Sequence, residues 1–328
     1  MTVRIGVLST AHLHAEAYVE ILDRMDGVEL VGVADDEEAR GREFADEHST
    51  GYRNPSELLE RIDGTVICST NAEHGRWIRA AADAGVAALS EKPLATAVDE
   101  ASSVANYCAD RDVPLGVAMP LRHSRPARRA DELLSEGAIG DLQAISGTNR
   151  GQMPGGWFVD PEQSGGGAAM DHTVHVVDLV HWLTGERVRE VYAETATRFH
   201  DVPVEDVNVL SMELSDGTIF SLDGSWSKPD EWHFWGDATV DLTGTEGTIS
   251  VDCFAETFTE TIDDGPETGV ESVFWGDDPN ERMLRRFVET VRDGRPPATP
   301  AEDGVDAVSV VEAVYESAER SEPVVVDY

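Results

Sequence analysis

The sequence predicts an α/β protein. An N-terminal Rossmann-like, doubly wound parallel sheet is followed by a C-terminal α/β domain whose large sheet is mostly antiparallel. Three observations carry this. Short, nearly continuous apolar runs alternate with helical periodicity over the first 120 residues, the pattern of a parallel sheet covered on both faces. Beyond them, strand-like segments alternate apolar and polar residues and are joined by glycine turns, as in an antiparallel sheet with one packed face. Helical stretches then return, broken by Gly294-Arg-Pro-Pro297. A length of 328 residues suits two domains, 1–120 and 121–328, each large enough for its own core.

In chain order, Val3–Leu8 is an apolar strand and His14–Met25 a helix. Val28–Ala34 is the second strand and ends in acids; Glu37–Glu47 and Pro55–Arg61 are helical. Gly64–Ser69, Val86–Ser90 and Pro114–Ala118 are further strands, separated by helices Glu73–Ala84 and Thr96–Arg111. Right-handed crossovers make this half doubly wound. A helix at Arg125–Glu136 precedes the strands Leu142–Thr148, Arg189–Arg198, Val207–Leu214, Thr218–Trp226 and Ala238–Thr243, with turns at Ser215-Asp-Gly217 and Thr245-Glu-Gly247. Helices Asn280–Arg292 and Glu302–Glu319 follow.

The formal charge is −39, from 25 basic and 64 acidic residues. Such a surface repels nucleic acid and anionic membranes. The acids are dispersed, and lysine is almost abandoned: Lys92 and Lys228 are the only two. Dispersed acid with depleted lysine is the composition of a protein adapted to molar salt, where a Debye length of about 3 Å screens self-repulsion. No apolar run reaches membrane-spanning length, and the N-terminus shows no signal pattern. Three scattered cysteines, Cys68, Cys108 and Cys253, suggest neither a zinc site nor disulfides, which fits a reducing cytoplasm.

A chain with two lysines that keeps one in Glu91-Lys92-Pro93, at a strand's C-terminal end, is expected to use that ammonium. A surface ion pair with Glu91 is the plain alternative. In Asp171–Leu183, helical spacing sets Asp171, His175, Asp178 and Trp182 on one row, with Thr173, Val176, Val180 and Leu183 on an apolar one. An acid and an imidazole on a buried helix cost desolvation unless paired or employed. His175 suits a general base and Asp171 its orienter; a satisfied core histidine is the other reading. Gly165-Gly166-Gly167 before this helix permits close backbone approach. Asp171, His172, His175, Asp178 and His181 are metal-ligand types, but H-E-x-x-H is absent and His172 lies off the row, so no metal is expected.

At the first strand–helix turn, where a dinucleotide fold carries G-x-G-x-x-G, the chain reads Gly6-Val-Leu-Ser9-Thr10-Ala11-His12-Leu-His14. Hydroxyls and amides at a helix N-terminus still hold phosphate; taken singly, His12 and His14 also suit capping or packing. Asp35 stands where an acid bonds the adenosine ribose, and the acids after it, without a well-placed arginine, favour NAD over NADP. Ser69-Thr70-Asn71-Ala-Glu-His74 ends another strand on the ligand-binding rim, although Asn71 also suits a helix cap. Trp157, Trp182, Trp232, Trp235 and Trp275 are either a sugar-stacking wall or core and interface residues.

These pieces together resemble the Gfo/Idh/MocA oxidoreductases. The match rests on Ser69 to His74, on Glu91-Lys92-Pro93, on Arg122 and Gly137 to Leu142, on Ser164 through Asp171 and His175 to Asp178, and on the closing Gly294-Arg-Pro-Pro and Ala313–Ser317 segments. The resemblance implies an NAD(P)-binding first domain and dimers or tetramers formed through the C-terminal sheet. It implies Lys92, Asp171 and His175 as the catalytic group and a sugar, polyol or related hydroxy compound as substrate. Ser9, Thr10, Ala11, His12, Asp35, Ser69, Thr70, Asn71, His74, Glu91 and Lys92 fall on the cofactor side, and Arg122, Trp157 and His172 on the substrate side. The phosphate turn departs from the family by being shorter and poorer in glycine. A redox-neutral lyase or hydrolase using bound NAD transiently, and a non-catalytic dinucleotide sensor, are the competing functions.

Overall fold

The computed structural model describes residues 2–255, 257–262, 269–274, 276 and 278–328; Trp275 lies outside them. The first half runs β1 (Val3–Leu8), α1 (His14–Arg24), β2 (Val28–Ala34), α2 (Glu38–Glu47), α3 (Pro55–Leu59), β3 (Gly64–Ile67), α4 (His74–Asp83), β4 (Ala87–Ser90), α5 (Val98–Ala109) and β5 (Leu115–Val117). The five strands are parallel in the order β2-β1-β3-β4-β5. That order reverses between β1 and β3, and ligands of open α/β sheets bind at such a switch point, outside the strands' carboxyl ends. The elements form where the periodicity places them: α1, for example, buries Ala15, Tyr18, Val19 and Leu22 at helical spacing.

The second half continues with α6 (Arg125–Ser135), β6 (Leu142–Thr148), α7 (Pro161–Ser164), α8 (Ala168–Thr184), β7 (Val188–Ala196), β8 (Val207–Leu214) and β9 (Ile219–Asp223). Then come β10 (Thr239–Gly244), β11 (Thr248–Asp252), the pair β12 (Thr257–Ile262) and β13 (Gly269–Phe274), α9 (Pro279–Asp293), α10 (Ala301–Arg320) and β14 (Val324–Val325). Seven strands form one sheet in the order β11-β10-β6-β9-β8-β7-β14. Its neighbours are antiparallel except β6 and β9, which run parallel at its centre. The β9 strand stops at Asp223 rather than at Trp226. Asn208 N donates to the Ser225 hydroxyl, which interrupts the regular ladder, although Gly224 N and Trp226 N still donate to Asn208 O and Asp206 O at 2.9 and 2.8 Å.

One face of this sheet, with Ile145, Val191, Leu210, Met212, Phe220 and Val240, packs on Val176, Val177, Val180 and Leu183 of α8 and on Val310 and Val314 of α10. Helix α8 is buried on nearly all sides, which explains why apolar residues surround its polar row. The two halves are not separate in space. Met283, Leu284, Phe287 and Val288 of α9 pack with Val3, Ile5 and Val7 of β1. Ala301, Ala307, Val308 and Val311 of α10 join Leu8, Ile67, Ala88 and Leu94 on the opposite face. The core of the first domain is therefore completed from beyond residue 278. Among the described residues, no helix is long and apolar enough to cross a membrane.

Candidate active site

The site lies where the two halves meet. Lys92 follows β4 on the ligand-binding rim, and Asp171 sits in the first turn of α8, where an acid is favoured by the helix dipole. Lys92 Nζ is 2.5 Å from Asp171 Oδ1 and also donates to Asp171 O at 3.2 Å. Their side chains are 5% and 13% exposed, so this is a buried ion pair between residues 79 apart in sequence. Burial alone would push the Asp171 carboxyl up; the Lys92 charge and its hydrogen bond outweigh it and hold the group well below its ordinary range. His175, one turn on, is buried, and its Nδ1 lacks a hydrogen-bond partner. Burial first, then the Lys92 charge, push its basicity well down, leaving a neutral imidazole beside an ammonium.

Helix α8 is placed by its glycines and by Glu205. A Cβ on Gly167 would collide with the Glu205 carbonyl oxygen, and one on Gly166 with the Tyr315 hydroxyl. Glu205 Oε1 accepts from Gly167 N at 2.9 Å, Ala169 N at 3.0 Å and the Tyr315 hydroxyl at 2.9 Å. The carboxylate thus satisfies amides that the helix start leaves free. Asp171 Oδ2 accepts from the indole of Trp226 at 3.1 Å. Neither Glu205 nor Trp226 was a sequence candidate, since no motif links them to a helix whose start lies some forty residues or more away along the chain.

His172 does not lie apart from Asp171, as helical spacing suggested. Its Nε2 is 3.2 Å from Asp171 Oδ2, while its Nδ1 lies 3.1 Å from Gly224 O. Arg122 is placed differently from expectation. Its guanidinium is forked onto Asp178 and bonded to Asp303 at 2.9 Å, two turns along α8 from Asp171. There it lines, with Asp178, His181, Trp182 and Arg187, a polar hollow of about 240 Å³. Trp157 instead reaches the first domain: its indole donates to Ala11 O at 3.0 Å, and its ring stacks on Phe158. Trp235 lies 6.1 Å from the His172 ring, whereas Trp232 stacks against Lys228.

The phosphate turn is held by its own side chains. Ser9 adopts a left-handed φ of 64°, the conformation a glycine usually supplies. Asp35 accepts from Thr10 N at 2.7 Å, Thr10 Oγ1 at 3.0 Å, Glu37 N at 2.9 Å, and Arg40 at 3.0 and 2.6 Å. The carboxylate is fully covered, so in this conformation its oxygens serve the turn rather than a ribose. The expectation of no arginine here is corrected: Arg40 pairs with Asp35, Asp36 and Glu37, and Arg76 with Asp36 and Glu73. Asn71 does not cap its helix; its amide donates to Ser164 O at 2.8 Å and ties the halves together. His74 Nδ1 lies 2.7 Å from Pro93 O and steadies the segment carrying Lys92, while the Ser69 hydroxyl turns to Thr70 O.

Glu91 is no surface residue. It is fully buried and accepts from the Tyr18 hydroxyl at 2.7 Å and from Lys92 N at 3.1 Å, with His14 Nδ1 at 2.9 Å. Burial would raise its carboxyl; His12, His14 and Lys92 hold it well below the usual range. His12, His14 and Glu91 offer ligand atoms within 4.8 Å of one another. Tautomerism argues against a metal here. His12 Nδ1 accepts from His14 N at 3.2 Å, so its proton sits on Nε2. Ligation through Nε2 would turn an Nδ1–H against that amide, whereas metal-bound histidines donate their second N–H to an acceptor. His12 Nε2–H makes no hydrogen bond, and the Glu91 carboxylate lies 3.8 Å from that nitrogen.

Comparison with known proteins gives the family. Residues 3–119 match the oxidoreductase family's NAD-binding Rossmann fold, and residues 127–250 match the GFO/IDH/MocA C-terminal domain. The chain belongs to the Gfo/Idh/MocA oxidoreductase family. It is 28% identical to D-xylose 1-dehydrogenase (NADP(+)) 2 of Haloferax volcanii, over 98% of this chain and 99% of that one. It is 26% identical to myo-inositol 2-dehydrogenase of Thermotoga maritima, over 98% of each. The crystal structure of GenD2 from gentamicin A biosynthesis, in complex with NAD, superposes with a TM-score of 0.90 at 26% identity, covering 100% of this chain and 97% of that one.

Proposed function

We propose that the protein is an NAD-dependent dehydrogenase of a sugar, polyol or related hydroxy compound. The observation that carries this is the 2.5 Å contact between Lys92 of the first half and Asp171 of the second, with neutral His175 one turn away. The dinucleotide belongs at the β1/β3 switch point, where Ser9, Thr10, Ala11, His12 and the Ser69–His74 rim converge. When bound, it supplies a nicotinamide that accepts hydride from the substrate's carbinol carbon. The chain's own residues handle the proton and the charge. His175 takes the hydroxyl proton on its imidazole, the Lys92 ammonium donates to the oxygen as negative charge builds there, and Asp171 keeps that ammonium in place. His172, Trp157 and Trp235 border the substrate side.

NAD is preferred over NADP in this reading, because Arg40 and Arg76 are already matched by Asp35, Asp36, Glu37 and Glu73. The acidic surface suits molar salt and a cytoplasmic enzyme, with dimers or tetramers forming through the seven-stranded sheet. The test is a panel of hydroxy compounds in molar salt, followed by net NADH formation. Lys92→Ala and His175→Ala are each expected to abolish turnover; retained turnover in both removes the assignment. Redox-neutral chemistry would give product without NADH, and a sensor would bind NAD without product. Dialysis into dilute buffer is expected to cost structure or activity, and unchanged circular dichroism and activity there would refute the salt adaptation.

A further inference from the structure

Asp171 Oδ2 has two neighbours, and only one of them is aligned to donate a hydrogen bond to it. His172 Nε2 lies 3.2 Å away, but the same ring faces Gly224 O with Nδ1 at 3.1 Å. A neutral imidazole has a single N–H, and burial lowers the basicity of this ring. The Nε2 approach to Oδ2 is a close contact that is not aligned as a hydrogen bond, whereas the indole of Trp226 is aligned on that oxygen. The donor is therefore Trp226, at 3.1 Å. Its side chain is fully buried, wedged with Ala168 and Val204 and edge-on to His172 at 6.4 Å, so packing fixes where its one donor points.

We propose that Trp226 is a positioning residue: its indole N–H pins Asp171 Oδ2, so that Oδ1 is presented to Lys92 and the ammonium is held at one place in the cleft. The terminal torsion of aspartate is broad. Without a second anchor the carboxylate can turn, and Lys92 Nζ follows Oδ1, its shorter contact at 2.5 Å, away from the backbone carbonyl it bonds at 3.2 Å. Such a displacement matters to catalysis, since misplacement by about 1 Å costs about 100-fold. Only this kinetic consequence rests on the dehydrogenase reading.

Trp226→Phe keeps the ring and removes the donor. In the full-length protein its kcat is expected to fall roughly 10- to 100-fold, while KM for the dinucleotide stays within about twofold, because the contacts named for Trp226 all lie in the second half. A merely structural role would lower the folded fraction and leave kcat per folded molecule unchanged, which overturns the proposal. A second measurement needs no turnover. The indole N–H proton resonance that disappears in Trp226→Phe is expected to shift in Asp171→Asn without substrate; an unmoved resonance overturns the link. If Trp226→Phe does not fold, the spectra of wild type and Asp171→Asn carry the test, because one displaced indole resonance is expected and none overturns it. If the wild type oxidises no hydroxy compound, the dehydrogenase reading falls while the indole resonance still decides the role of Trp226.

Discussion

The buried Lys92–Asp171 pair makes a prediction in which stability and activity separate. Lys92→Met keeps the aliphatic stem and deletes the charge, leaving the Asp171 carboxylate 13% exposed with no cationic side chain bonded to it. Removing one partner of a buried pair costs about 3–5 kcal/mol, because the remaining charge stays desolvated. Asp171→Asn is expected to cost a similar amount by the mirror argument. Removing both charges leaves none stranded, so the double variant should lose about 2 kcal/mol less than the sum of the singles. Urea unfolding of the cofactor-free protein in molar salt measures all four corners of this cycle. NADH formation, measured alongside, should be absent in every variant. Additive losses would refute the pairing, and turnover in Lys92→Met would refute the role of the ammonium.

Acid should destabilise the fold earlier than carboxylates alone would. Burial pushes His12 and His123 down to about 3, so the unfolded chain binds protons that the folded one refuses between that value and the ordinary 6.5. Stability is full above pH 6.5 or so and falls as pH drops through it; at pH 5.5 these two residues together forfeit about 3 kcal/mol. A flat urea midpoint from pH 7.5 to 5.5 would contradict this. Gly167→Ala sets a Cβ against the backbone oxygen of Glu205, which cannot swing aside; a loss of about 1–3 kcal/mol and a fall in kcat should follow, visible in unfolding curves and rates. For cofactor choice, kcat/KM with NAD should exceed that with NADP in the wild type, and an NADP preference would show that Arg40 or Arg76 is freer than its ion pairs imply.

The fold was legible because burial imposes periodicity. The apolar runs of β1 to β4 and the helix around Asp171 could be read directly, as could Lys92, through its rarity. What escaped depends on contacts between distant segments. Nothing local says that Arg122 is consumed by Asp178 and Asp303, or that Asp35 is closed off by Thr10 and Arg40. Nothing local makes Glu91 the centre of a histidine–tyrosine cluster. Trp226 and Glu205 were missed because each acts on α8 from another strand or loop, and a side chain's target across a sheet leaves no pattern along the chain.

The way α9 lies on the first sheet bears on how the protein is made. A growing polypeptide that has emerged only as far as residue 120 shows water the β1 surface that Met283, Leu284, Phe287 and Val288 later cover. Each such side chain contributes about 1.5–3 kcal/mol when buried, a total comparable with a typical domain's net stability. The nucleotide-binding half is thus expected to lose stability when excised at residue 120; during translation its β1 surface waits, half dressed, for a helix synthesised more than 150 residues later.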